Sequence, residues 1–154
     1  MNKKYKILWL TGQPGSGKTT LSNKIVEIIS SDKNKDKIKI MQIDGDDLRE
    51  LTNNQDYSKE GRFANIRLGQ NIALFCQNKG YLVIVSLVAP YIELREELKN
   101  RTDVCEVYLH TTEIRGREHF FSNEYKKPLK NFHSIDTTNK DIKETASEIL
   151  SFYW

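Results

Sequence analysis

Short apolar runs recur along the chain, separated by longer segments whose apolar positions fall every three or four residues. The strand-like runs are Lys6–Leu10, Ile38–Ile43, Tyr81–Leu87 and Val104–Leu109, with a weaker one at Phe132–Asp136. Tyr81-Leu82-Val83-Ile84-Val85 shows no alternation, the pattern of a strand covered on both faces of a parallel sheet. Helical spacing is read at Lys18–Ser30, where Leu21, Ile25, Ile28 and Ile29 share a face, and at Lys59–Asn78. It is read again at about Tyr91–Asn100, about Thr112–Phe121, and Asn139–Phe152. Strands and helices alternating at these lengths predict an α/β sandwich around a central parallel sheet. Ligands of such sheets bind beyond the carboxyl ends of the strands, where Gly12, Asp44, Ser86 and His110 fall.

Composition narrows the classes. The 154 residues are expected to form a single domain over 1–154, long enough to bury roughly two thirds of the unfolded surface. Apolar residues are 38% and charged residues 29%, so the core must be concentrated in a few strands. A net charge of +3, from 24 basic and 21 acidic side chains, suits anionic small molecules and lacks the basic excess of a nucleic-acid binder. Met1-Asn2-Lys3-Lys4 leads straight into the first strand, and no segment has the apolar length of a membrane span, so no membrane partner is expected. Cys76 and Cys105 sit in apolar stretches without metal-ligand spacing and read as reduced core residues of a cytoplasmic protein. Ser31–Lys37 reads as a lysine-rich loop.

The chemistry begins at Gly12-Gln13-Pro14-Gly15-Ser16-Gly17-Lys18-Thr19, which fits G-x-x-x-x-G-K-[ST] between the run Ile7–Leu10 and a helical segment. That context predicts a P-loop NTPase three-layer sandwich with a central parallel five-stranded sheet. Backbone N–H groups of the loop, through Thr20, would cradle phosphates; Lys18 would reach the β- and γ-phosphates, and the Thr19 hydroxyl Mg²⁺. The strand Tyr81–Leu87 carries Ser86 at its end and no acid, so the Asp44-Gly45-Asp46 turn is the natural source of carboxylates for a metal or an acceptor proton. The same turn also reads as a helix N-cap for Asp47–Leu51. Arg62 and Asn65 share a helix face and, with Arg49, could hold an anion; each arginine alone also reads as solvated. A switch GTPase is disfavoured because N-K-x-D is missing: Asn78-Lys79 continues as Gly80-Tyr81, and Asn139-Lys140 as Asp141. His110, His119 and His133 have no metal spacing, and His110 is the one expected nearest a ligand. Trp9 reads as core. Trp154 either docks on the surface or belongs to a homodimer contact.

Together these segments resemble the adenylylsulfate (APS) kinases. That family carries a P-loop, L-D-G-D-N-x-R, F-S-x-x-D-R-x-E-N-I-R-R, a strand ending S-F-I-S-P-Y-R, and a lid with K-G-L-Y-K-K-A-R. The counterparts are Ile43–Arg49, Tyr57–Arg67, Ser86–Tyr91 and Tyr125-Lys126-Lys127, in the same order. The resemblance implies transfer of the γ-phosphoryl of ATP to the ribose 3′-hydroxyl of adenylylsulfate, with Mg²⁺ and small-molecule nucleotide substrates. It implies that Lys18, Asp44 and Asp46 serve catalysis, with Thr19 and Asp44 at the metal. It places Arg49, Arg62 and Asn65 at the acceptor anions, and Tyr57 where a phenylalanine packs on the acceptor base. Ser86 and Val88 would line the acceptor pocket, Lys127 would approach it from a lid at about 112–130, and Thr137 would lie near the ATP adenine.

The departures concern the acceptor. Gly61 and Ala64 replace acidic residues, Leu87 a phenylalanine, His119-Phe120 an arginine-aspartate pair, and Ser122-Asn123-Glu124 the K-G-L of the lid. Phe132 either supplies a second stacking ring or, with Ile135-Asp136-Thr137 as the final strand end, a loop has been deleted. The helix that follows at once favours the deletion. A cytidine diphosphate conjugate of surface-polysaccharide modification is therefore an alternative acceptor. A nucleotide-binding regulator without catalysis is the alternative from another class.

Overall fold

A computed structural model describes residues 5–35 and 37–154; Met1–Lys4 and Asp36 lie outside them. Five strands, β1 (Ile7–Thr11), β2 (Ile40–Asp44), β3 (Leu82–Ser86), β4 (Val104–His110) and β5 (His133–Asp136), form one sheet in the order β2-β3-β1-β4-β5. All four pairings are parallel, with Leu10 opposite Ser86 and Asp44 opposite Ser86. The helices are α1 (Lys18–Ser31), α2 (Gly45–Thr52), α3 (Lys59–Asn78), α4 (Ile92–Arg101) and α5 (Ile142–Tyr153).

The central strand explains the layering. Side chains alternate across a strand, so Ile7 and Trp9 of β1 join Val83, Val85, Ile66, Ala73, Leu94 and Leu98 on the α3 and α4 face. Leu8 and Leu10 join Leu21, Ile25, Ile29, Ala146 and Ile149 on the α1 and α5 face. Both faces of β1 and β3 are fully buried, as the unalternating apolar runs require. Trp9 is core; Cys76 and Cys105 are buried and reduced. No helix among the described residues is long and apolar enough to cross a membrane.

One expected element does not form. Residues 112–121 are a loop with a single 3₁₀ turn at Glu118–Phe120, not a helix. Local side chains capture the backbone donors that a helix would use: Thr138 Oγ1 accepts from Thr112 N–H, Thr111 Oγ1 from Glu113 N–H, and Glu118 Oε1 from Arg115 N–H. Gly116, at φ +79°, then breaks the right-handed path. Conversely, the helix considered over Asp47–Leu51 exists and is longer, because Asp44 caps it from the end of β2.

Candidate active site

The carboxyl ends of β1, β2 and β3 carry Thr11, Asp44 and Ser86, and the loops leaving them surround a cavity of about 1010 Å³. Gly12 passes so close to β4 that a Cβ there would lie 2.3 Å from the Leu109 carbonyl oxygen, so only glycine fits. Gly17 enters α1 at φ +106°, and no side chain caps that helix. Its free N–H groups and the positive end of its dipole therefore open onto the cavity, a disposition suited to anions.

Lys18 is folded back on the loop, its Nζ donating to the Gly12 and Gln13 carbonyls at 2.9 Å each. Burial lowers its pKa from the ordinary 10.5 to about 8; Asp44 and Asp46 oppose that effect and Arg117 adds to it. Thr19 Oγ1 donates to Asp44 Oδ2 at 2.7 Å, while Asp44 Oδ1 accepts the Asp46 N–H at 3.0 Å. One carboxylate thus joins the loop to the start of α2. The Asp46 side chain faces the same cavity and takes no hydrogen bond among the described residues.

Across the cavity, Arg49 donates to the Asn54 and Asp56 carbonyls at 3.1 Å each and lies 4.0 Å over the Tyr57 ring. Tyr57 is 62% exposed and lines the cavity, with Arg49 stacked on its ring. Arg62 donates to Ser122 Oγ at 3.0 Å. Asn65 is buried, donates weakly to the Gly45 carbonyl at 3.4 Å, and leaves Oδ1 without a partner among the described residues. Ser86, Val88, Pro14, Gly15, Gly17, Thr20 and Thr137 also line this space. Gln13, Ser16 and Lys127 lie outside the lining, and Lys127 is exposed. Thr137 Oγ1 donates to the Ser16 carbonyl at 2.9 Å, tying the end of β5 to the phosphate loop.

The segment after β4 brings further residues to the cavity. Arg115 donates to the Gly15 carbonyl at 2.9 Å and to the Thr137 carbonyl at 3.0 Å. Phe120 and Phe121 are partly exposed rings on the cavity wall. His119 lines it, whereas His110 does not and instead meets Ser134 Oγ at 3.1 Å. Behind the wall, Arg95 donates to the Ala89 and Lys126 carbonyls and Lys99 to the Lys130 carbonyl at 2.9 Å. Their shared carboxylate, Glu106, is buried, and that burial raises its pKa.

Gly61 has a local reason. A Cβ there would sit 2.1 Å from the Asp56 carbonyl oxygen, the atom that receives Arg49. Gly61→Asp is expected to lower stability by about 1–3 kcal/mol in chemical denaturation, because the obstruction is backbone. Unchanged stability would show that the 54–58 turn yields freely.

A five-stranded parallel sheet with a phosphate loop after β1 and carboxylates after β2 defines a P-loop phosphotransferase. The family description "Adenylylsulphate kinase" matches residues 4–144, and the chain belongs to that family, phosphotransferases with a hydroxyl acceptor. It is 33% identical over 135 residues to the adenylyl-sulfate kinase of a Picosynechococcus species, covering 84% of this chain and 74% of that protein. It is 31% identical over 136 residues to the cytidine diphosphoramidate kinase of Campylobacter jejuni, covering 84% and 77%. Its fold matches the Mycobacterium tuberculosis APS kinase CysC in complex with AMPPNP and APS, with a TM-score of 0.78 at 23% identity over 97% of this chain and 98% of that one.

Proposed function

We propose that the chain is one kinase domain that transfers the γ-phosphoryl group of ATP to the ribose 3′-hydroxyl of adenylylsulfate or a similar nucleotide conjugate. One observation carries this reading. A single cavity joins Lys18 and Thr19 to Arg49, Arg62 and Asn65, with Asp44 and Asp46 on the turn between the two groups.

The loop amides and Lys18 hold the donor phosphates, while Thr137 borders the donor end beside Gly17. Mg²⁺ fits the oxygen pair of Thr19 and Asp44, since this ion keeps water and phosphate oxygens in its shell and needs few protein ligands. Held by Thr19 and Asp44, the ion would neutralise charge on the β- and γ-phosphates. Arg49 and Arg62 bind the acceptor's anionic groups, the Tyr57 ring receives its base, and Asn65 Oδ1 accepts from a ligand donor. Ser86 and Val88 close the floor, and residues 112–130, including Lys127, form the lid. The acceptor oxygen attacks the γ-phosphorus as the bond to the β–γ bridging oxygen breaks, and ADP departs with that electron pair. The hydroxyl proton passes to Asp46, whose carboxylate is uncommitted, because both Asp44 oxygens are already engaged.

A second acceptor reading, a cytidine diphosphate conjugate, is supported by the Campylobacter relative and by the departures at Gly61, Ala64 and the lid. Steady-state kinetics with adenylylsulfate and with adenosine and cytidine diphosphate conjugates separates the two. Acceptor-dependent ADP release is expected, with kcat/KM higher by ~10-fold or more for one base. ATP binding without turnover on any acceptor would contradict the kinase reading and leave a regulator.

A further inference from the structure

Gln13 lies within the phosphate loop, but its side chain turns to the opposite wall. Its Nε2 donates to the Ser122 carbonyl at 2.9 Å, and its Oε1 accepts the Ser122 N–H at 3.0 Å. The amide thus pairs with both polar groups of one backbone unit, as a neighbouring strand would. Ser122 is 6% exposed, so without Gln13 its buried N–H would lose its partner, and its carbonyl would keep only the Tyr125 N–H at 3.2 Å. The Ser122 hydroxyl in turn accepts from Arg62 Nη1 at 3.0 Å. Arg62 also lies 3.8 Å from Glu124, whose carboxylate receives the Tyr91 hydroxyl at 2.6 Å.

We propose that Gln13 is a positioning residue for the acceptor side: through Ser122 it holds the Arg62 guanidinium where an anionic acceptor meets it. The inference rests on the reading of Arg62 as an acceptor ligand. A guanidinium already oriented loses less freedom on binding, so the benefit falls on acceptor affinity. The rest of this wall has other anchors: Tyr125 to Thr11 at 2.8 Å, Lys126 N–H to the Pro90 carbonyl at 3.0 Å, and Arg95 to the Lys126 carbonyl. Losing the Gln13 pair therefore loosens Ser122 and Arg62 without releasing the whole segment.

Gln13→Leu preserves bulk and removes both bonds. The acceptor KM is expected to rise ~10-fold, with the ATP KM changed by less than ~2-fold. Ser122→Ala keeps the amide pairing and removes only the hydroxyl; a rise of ~3-fold in acceptor KM is expected, and it serves as the test should Gln13→Leu fold poorly. Because both act through one path, the double variant should match Gln13→Leu alone. A higher ATP KM with unchanged acceptor KM, or additive effects in the double variant, would overturn the inference. Arg62→Ala is the control: if it leaves acceptor KM unchanged, the acceptor reading itself fails. If it raises acceptor KM while Gln13→Leu does not, only the relay fails.

Discussion

Lys18→Met leaves a folded protein that has lost phosphoryl transfer, with kcat/KM reduced ~1000-fold or more. The side chain is buried on two loop carbonyls and contributes no apolar packing that methionine could not supply. Its charge is an expense in the free protein, since burial lowers its pKa to about 8. Between pH 8 and the ordinary 10.5 the unfolded chain binds more protons at this position than the folded one. The penalty is therefore full below pH 8 and is relieved as pH rises through that window. Lys18→Met removes it, so the thermal midpoint near pH 7 should hold or rise while activity disappears. Donor phosphates favour the charged amine, so ATP binding at or above pH 8 should take up protons, and more as pH rises toward about 10. Calorimetry in two buffers of different ionisation heat reads that uptake. No uptake, or a Lys18→Met variant with substantial turnover, would contradict the role.

Asp44 and Asp46 carry the second large effect, and the geometry allows structure and chemistry to be separated. Asp44 caps α2 through Oδ1 and holds Thr19 through Oδ2, so Asp44→Ala loses a cap worth about 1 kcal/mol as well as a charge. Asp44→Asn keeps a capping oxygen and removes the charge. It should fall within ~0.5 kcal/mol of the parent in stability yet lose at least ~100-fold in kcat. Asp46 caps nothing with its side chain, so Asp46→Asn should match the parent in stability and lose kcat to a similar degree. Its remaining rate should lack the acid limb of the parent pH profile. If both asparagine variants turned over normally, the turn would be a helix cap only.

How much could be read from the chain differs between the two ends of the cavity. The donor loop was legible because strand, turn and helix are contiguous and each glycine has a local reason. The inner strands β1 and β3 were legible from their continuous apolar runs, and the sheet covers both of their faces. The helix expected at about Thr112–Phe121 does not form because competing side-chain bonds come partly from Thr138, distant in sequence. The Gln13–Ser122 pairing spans 109 positions and has no local signature. Arg95 and Glu106 are polar residues that only the fold buries together. His119 rather than His110 reaches the cavity because the loop after β4 turns back over the P-loop, a path set by Arg115 on Gly15 and Thr137. Such contacts belong to tertiary structure, and they join the segment after β4 to the phosphate loop on one side and to Arg62 on the other.

The most direct measurement is the position of the phosphoryl group in the product. Wild-type protein, ATP and Mg²⁺ are incubated with adenylylsulfate and with cytidine diphosphate conjugates, and products are resolved by phosphorus and proton NMR. The expected result is a new phosphomonoester on the ribose 3′-carbon of one of these acceptors, formed with one equivalent of ADP and absent with Lys18→Met. A phosphoryl group found elsewhere on the acceptor, or ADP formed with inorganic phosphate alone, would contradict the account.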